Sequence, residues 1–243
     1  MGTSKEVKIF SKNKEVYRAV AQEIFHFTKQ SQQSRFDIIL SGGNTPKKLF
    51  KILGNEFTTS IPWNRIHFWW GDERCVHPTS ENSNYKTAND SLFSKISIPE
   101  ENIHRIKGEN NPEEEAIRYK FEIEKNINCR GEDPVFDLLI LGLGEDGHTA
   151  SIFPDQLELF EDERICAVTQ HPITKDKRIT LTGRVLNNSN RTFFVVTGEN
   201  KSMRISEIMN DNEAAKLLPA YYIEPKNGDL IWFLDDSAAS KIT

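Results

Sequence analysis

The sequence predicts an α/β domain whose sheet is mostly parallel and carries helices on both faces. Three observations lead there. Short β-rich runs alternate with helical stretches along the chain, the pattern of βαβ units. One run, residues 135–141, is almost continuously apolar, as befits a strand buried on both faces. No internal repeat, low-complexity tract or Pro/Gly/Ser-rich linker interrupts the chain, so residues 1–243 read as a single domain.

Residues 7–10 read as the first strand. Val16, Val20, Ile24 and Phe27 recur at helical spacing and predict a helix over 14–30, which the polar stretch 30–35 ends. Residues 36–40, apolar except for Asp37, predict a buried strand. A Gly-Gly turn follows. The second helix then has Thr45 as its expected N-cap, Pro46 at its first position, and Leu49, Phe50, Ile52 and Leu53 on its buried side. Residues 66–70 form the next predicted strand, with Trp69 and Trp70 read as its core and rim. A polar stretch follows through Tyr85, and residues 82–110 show no pattern that places an element boundary. Asn111 and Pro112 open another helix, whose Glu113, Glu114 and Glu115 face the positive end of its dipole. Beyond the 135–141 strand, further strands are expected over 165–169, 179–181, 192–197 and 230–234, and a helix over 200–210.

Composition narrows the function. The 243 residues carry 31 Lys and Arg against 36 Asp and Glu, a net charge of −5, with the two signs interleaved. A surface without a basic face argues against nucleic acid or an anionic membrane as partner. No apolar run reaches the roughly 18 residues that a membrane span needs. The N-terminal stretch, with Lys5, Glu6, Lys8, Lys12 and Lys14, has no apolar signal core, so a cytoplasmic location is expected. Cys75, Cys129 and Cys166 are scattered and odd in number, which predicts neither a disulfide framework nor a zinc site. His26, His67, His77, His104 and His171 show no metal-ligand spacing, so no metal is expected.

Three segments can carry chemistry. Ser41-Gly42-Gly43-Asn44-Thr45-Pro46 lies between a strand and a helix start, where glycines let the backbone approach an anion and the helix offers free N–H groups. Ser41, Asn44 and Thr45 add side-chain donors. The segment suits a monophosphate and lacks P-loop spacing; a plain capped turn would look similar. Residues 142–151, directly after the most apolar strand, contain Gly-x-Gly-x-x-Gly. A dinucleotide site also needs an acid some 20 positions on, and that region reads Cys166-Ala167-Val168. Asp146-Gly147-His148 says more: a carboxylate two residues from an imidazole can orient it to take a proton from water. Gly71-Asp72-Glu73-Arg74 supplies a guanidinium for a phosphate, a carboxylate or a developing oxyanion. Lys177, Arg178 and Lys201 are ordinary one by one, and as a set they can add positive charge to an anion pocket. Ser41 and Ser151 sit in no nucleophile elbow.

In order along the chain these motifs resemble the 6-phosphogluconolactonase family over nearly the full length. The resemblance rests on residues 41–46, on Asp72-Glu73-Arg74 with Ser83-Asn84-Tyr85, and on residues 142–154. It continues in residues 178–182 and 197–201, in Leu217, Pro219 and Ala220, and in Trp232, Asp235, Ala238 and Ala239. It implies a Rossmann-like, doubly wound sheet without a nucleotide, and no cofactor or metal. The implied activity is hydrolysis of 6-phospho-D-glucono-1,5-lactone to 6-phospho-D-gluconate in the oxidative pentose phosphate pathway. His148 would be the general base with Asp146 beside it. Ser41, Gly42, Gly43, Asn44 and Thr45, with Arg74, Arg178 and Lys201, would hold the sugar phosphate lactone. Asn44 stands where the family more often has Ser. Residues 171–177 depart from its Lys-Pro-rich run, which leaves either Lys177 or Arg178 to meet the phosphate. The alternatives are a glucosamine-6-phosphate isomerase/deaminase and a non-catalytic sugar-phosphate-binding protein. The deaminase family carries Glu at the position of Phe153 and Tyr at that of Arg74. A monomer is expected, with a weak homodimer as the alternative.

Overall fold

A computed structural model describes residues 4–242. Its main sheet has seven strands: β1 (Lys5–Phe10), β2 (Phe36–Leu40), β3 (Ile66–Trp70), β5 (Ile103–His104), β8 (Leu138–Leu141), β11 (Arg191–Val196) and β12 (Asp229–Asp235). Their spatial order is β1-β12-β11-β8-β2-β3-β5, and every neighbouring pair is parallel. A second, antiparallel sheet joins β4 (Asp72–Arg74), β9 (Cys166–Gln170) and β10 (Lys177–Leu181) in the order β4-β10-β9. A short ribbon pairs β6 (Cys129–Arg130) with β7 (Asp133–Pro134).

The longer helices are α1 (Asn13–Gln30), α2 (Asn44–Glu56), α3 (Asn84–Ser91), α4 (Pro112–Asn126) and α6 (Ser202–Met209); α5 (Gly183–Leu186) and α7 (Asp236–Ala239) are single turns. Two consecutive residues show that the sheet is covered twice. Side chains alternate across a strand, so Trp69 packs against Tyr119 of α4 and Phe136, while Trp70 packs against Tyr85 of α3 and Phe93. Both indoles are buried, so Trp70 is core and not the rim residue expected. The doubly covered parallel sheet is the predicted fold.

The differences have physical reasons. Helix α2 begins at Asn44 with Gly43 as its N-cap, two residues before the expected Thr45 cap. Gly43 adopts φ +100°, which swings the chain directly into the first turn, and its carbonyl accepts from Lys47 N. Pro46 becomes the third helical residue, where a missing N–H still costs no helical bond. Strand β4 is three residues long and reads Asp-Glu-Arg, so no hydrophobic alternation marks it. Its partner is β10, with Arg178 opposite Arg74 and Thr180 opposite Asp72. Thus β9 and β10, expected as strands, build the small sheet. Helix α4 starts where predicted, with Asn111 Oδ1 accepting from the N–H groups of Glu113 and Glu114.

Chain order locates the functional end. From β2 the chain moves outward through β3 to β5; from β8 it moves the other way through β11 to β12. Strands β2 and β8 are adjacent, so the loops leaving their carboxyl ends diverge over one crevice, the topological switch point where ligands of such sheets collect. Tyr119 of α4 secures the next strand. Its hydroxyl donates to Trp70 O at 3.0 Å and accepts from Trp70 N at 2.9 Å, satisfying both backbone groups at the end of β3. Tyr119→Phe keeps the ring and leaves two buried backbone groups unpaired. It should lower stability by about 2–4 kcal/mol, read as a shifted denaturant midpoint at unchanged slope.

Candidate active site

A cleft of about 400 Å³ opens over the switch point. Residues 41–46 after β2 and 142–150 after β8 form its centre, and it also touches β4, the start of β10, and residues 195–201 at the end of β11. Nine of the ten residues expected at the site line it: Ser41, Gly42, Gly43, Asn44 and Thr45; Arg74, Arg178 and Lys201; and His148. The tenth, Asp146, lies behind His148 and bonds to it.

One side of the cleft is built for an anion. No side chain caps α2, so the N–H groups of its first turn stay available at the positive end of the dipole. Asn44 and Thr45 offer donors there. Ser41 is different: its buried hydroxyl donates to Ile140 O at 2.8 Å and ties the end of β2 to β8. Its donor serves the scaffold.

Arg74 and Arg178 face each other across two hydrogen-bonded strands. Among the described residues neither forms an ion pair, whereas Arg18, Arg35, Arg105, Arg118, Arg164, Arg184 and Arg204 each do. The Nε atoms of both are buried without a hydrogen-bond partner, and Arg74 is steadied by one bond from its guanidinium to Asn82 O at 2.5 Å. Burial and then the charge of Arg74 push the Arg178 pKa down. Two adjacent guanidiniums lacking carboxylates call for a ligand of opposite charge. Lys177 points elsewhere and pairs with Glu113 at 3.0 Å, so Arg178 is the one of the two that lines the cleft. Burial also lowers Lys201, against the pull of Glu145 and Asp146.

The loop after β8 carries a carboxylate–imidazole pair. His148 Nδ1 lies 2.6 Å from Asp146 Oδ1, and the same oxygen accepts from His148 N at 3.1 Å. A carboxylate only accepts, so Nδ1 holds a proton, and Nε2 is the ring nitrogen without a protein partner in a residue lining the cleft. Burial alone would raise the Asp146 carboxyl; the hydrogen bond and charge of His148 outweigh it and hold the group at about 2, below its ordinary 3.8. The turn closes by bonds from Gly144 N to His148 O and from Gly147 N to Gly144 O. A side chain at 144 would collide with both the imidazole and the carboxylate, which accounts for the glycine. The Phe153 ring stands between His148 and His171, with centroids at 4.9 and 5.1 Å.

Sequence reasoning missed the supports. Glu73 is buried and accepts from the backbone N–H groups of Arg74, Asn84 and Tyr85 and from the Ser83 hydroxyl, at 2.7 to 3.1 Å. Burial pushes its pKa up, although the backbone bonds oppose the rise. Asp72 takes a hydrogen bond from Ser151 Oγ at 2.6 Å, joining the small sheet to the loop after β8. Lys48, Thr197 and Asn200 also line the cleft. The available signal was an acidic pair ten residues before Ser-Asn-Tyr, a helix start in need of acceptors. Among the described residues, no group of three or more His, Cys, Asp or Glu side chains is placed to hold a metal ion. No described helix is long and apolar enough to cross a membrane.

Known proteins share this fold. The family described as glucosamine-6-phosphate isomerases/6-phosphogluconolactonase matches residues 11–232. A 6-phosphogluconolactonase of Aggregatibacter actinomycetemcomitans is 41% identical over 221 residues, covering 90% of this chain and 92% of its own. A crystal structure described as that of the devB protein superposes with a TM-score of 0.93 at 40% identity, over 98% of this chain and all of the other. The 6-phosphogluconolactonase of Thermotoga maritima superposes with a TM-score of 0.82 at 31% identity, over 96% of this chain and all of its own.

The Asp146–His148 pair has a pH signature. Because the folded-state pKa of Asp146 is depressed, its contribution to stability is complete above about pH 4 and is lost as pH falls through about 2. Acid unfolding of the wild type and Asp146→Asn should therefore show a stability gap at pH 5 that narrows between pH 4 and 2 and closes below. A gap independent of pH would contradict the pairing.

Proposed function

The chain belongs to the glucosamine-6-phosphate isomerase/6-phosphogluconolactonase family, and from that premise we propose that it hydrolyses 6-phospho-D-glucono-1,5-lactone to 6-phospho-D-gluconate. One observation carries the reading. Two guanidiniums without acidic partners and a free helix N-terminus share a cleft with an imidazole whose Nδ1 is held by a carboxylate. A substrate anionic at one end and open to attack by water at the other answers both halves.

In this reading the phosphate lies at the Gly42-Gly43 loop and the guanidiniums, which fixes the lactone carbonyl near His148 and makes the attack effectively unimolecular. Water adds to C1 while His148 Nε2 takes its proton. The carbonyl electrons move onto oxygen, and N–H groups of the glycine turns stabilise the oxyanion. Collapse breaks the bond from C1 to the ring oxygen, the imidazolium protonates that oxygen, and the new acid ionises to solvent. Asp146 keeps Nδ1 protonated and balances the transient imidazolium. A cytoplasmic setting goes with a charged sugar phosphate that does not cross membranes unaided. The deaminase alternative, as the sequence resemblance frames it, needs a carboxylate where the buried Phe153 packs against His148.

His148→Ala should reduce kcat on the order of 10²–10⁴-fold while 6-phosphogluconate still binds. Proton release from freshly generated lactone measures this once the spontaneous opening is subtracted, and near-native turnover would remove His148 from the role. Arg178→Ala should raise KM and leave kcat nearly unchanged, as for a group that grips the phosphate equally in ground and transition states. An unaltered KM would sink that assignment.

A further inference from the structure

Strand β1 ends the main sheet, and one side of it is unpaired. Its inner neighbour is β12, in parallel, and among the described residues no strand lies beyond it. The opposite edge is protected by its brevity, since β5 has two residues whereas β1 has six. Lys5 stands opposite Leu230, whose N–H donates to Ser4 O at 2.8 Å. Backbone groups alternate in direction along a strand of a parallel pair. Ser4, Glu6 and Lys8 therefore turn theirs toward β12, and the N–H and C=O groups of Lys5, Val7 and Ile9 point outward. The Val7 and Ile9 side chains are 39% and 50% exposed, on the sheet face where their β12 partners Trp232 and Leu234 are buried. Glu6 and Lys8 share the other face, 3.7 Å apart, and Lys8 also reaches Glu23 of α1 at 2.9 Å.

A two-fold axis normal to the sheet sets a second copy of β1 alongside in antiparallel, each residue meeting one on its own face. Five residues of the strand pair when the axis passes through Val7 or Lys8, and fewer elsewhere. An axis on Lys8 puts two ammonium groups directly opposite, which is destabilising. An axis on Val7 puts Glu6 of each copy against Lys8 of the other and lays the Lys5 stem along Ile9. It also lets the two Val7 residues exchange both of their outward backbone hydrogen bonds. Lysines on an edge ordinarily repel such pairing; in this register Lys8 meets a carboxylate. We propose that β1 is a homodimer interface, at which a second copy of this chain pairs about Val7 and joins the two seven-stranded sheets into one. The chain is then a weak, reversible dimer and not the expected monomer. Strands β12 and β11 stand between this edge and β8, so each copy keeps its own cleft.

Sedimentation equilibrium of the full chain tests this. The wild type should pass from monomer toward dimer as its concentration rises over roughly 1 μM to 1 mM. Glu6→Lys sets like charges against Lys8 and should weaken the dimer about 5- to 30-fold, as should the converse change Lys8→Glu. Mixed in equal amounts, the two variants should form a heterodimer about as tight as the wild-type dimer, because every cross-strand pair is again of opposite charge. Val7→Lys, which puts two like charges on the axis, should abolish dimerisation. It probes the same interface should Lys8→Glu, which also loses Glu23, fail to fold. A wild type that stays monomeric throughout overturns the proposal. So does a dimer that Glu6→Lys and Val7→Lys leave intact, or a mixture no tighter than its components.

Discussion

The adjacency of β2 and β8 is the constraint on which the site depends. Two strands almost a hundred residues apart in sequence lie side by side in parallel, and the chain leaves them in opposite directions. Their loops must part over a common gap. The Ser41 hydroxyl, bonded to Ile140 O across that junction, holds the phosphate-type turn and the histidine turn in register. Without the shared gap, neither glycine loop would have anything to act on.

Charge distribution completes the picture. The protein is negative overall, and most of its arginines are neutralised by neighbouring carboxylates. Arg74 and Arg178 are not, although the buried carboxylates of Asp72 and Glu73 sit close by in sequence. Those acids are occupied: Glu73 by backbone amides, Asp72 by Ser151. Acids spent on the scaffold leave the guanidiniums free for a ligand, so local geometry sets the sign of the field where the net charge cannot.

Much of this was legible in sequence. Strands β2 and β3 begin and end where the apolar runs do, because continuous burial leaves an unambiguous hydrophobic signature. Nine expected site residues line one cleft because Gly-Gly and Asp-Gly-His turns carry their chemistry locally. What was not legible depends on partners distant in sequence. Strand β4 exists only through its pairing with β10, and three charged residues give no periodicity. The roles of Glu73 and Asn84 arise from contacts between 72–74 and 83–85, two polar segments with no hydrophobic periodicity to show that they meet. The Thr45 cap was misplaced because a glycine at positive φ can start a helix without any capping side chain.

The guanidinium pair and the acid–base pair stand on different sheets. Arg74 and Arg178 belong to the small antiparallel sheet, whereas Asp146 and His148 hang from the main one, and the Asp72–Ser151 hydrogen bond is one of the links between them. In the proposed reaction, anchoring and proton transfer would thus draw on different sheets, so a substitution confined to the small sheet that loosens the grip on the anion would leave the Asp146–His148 turn as it is.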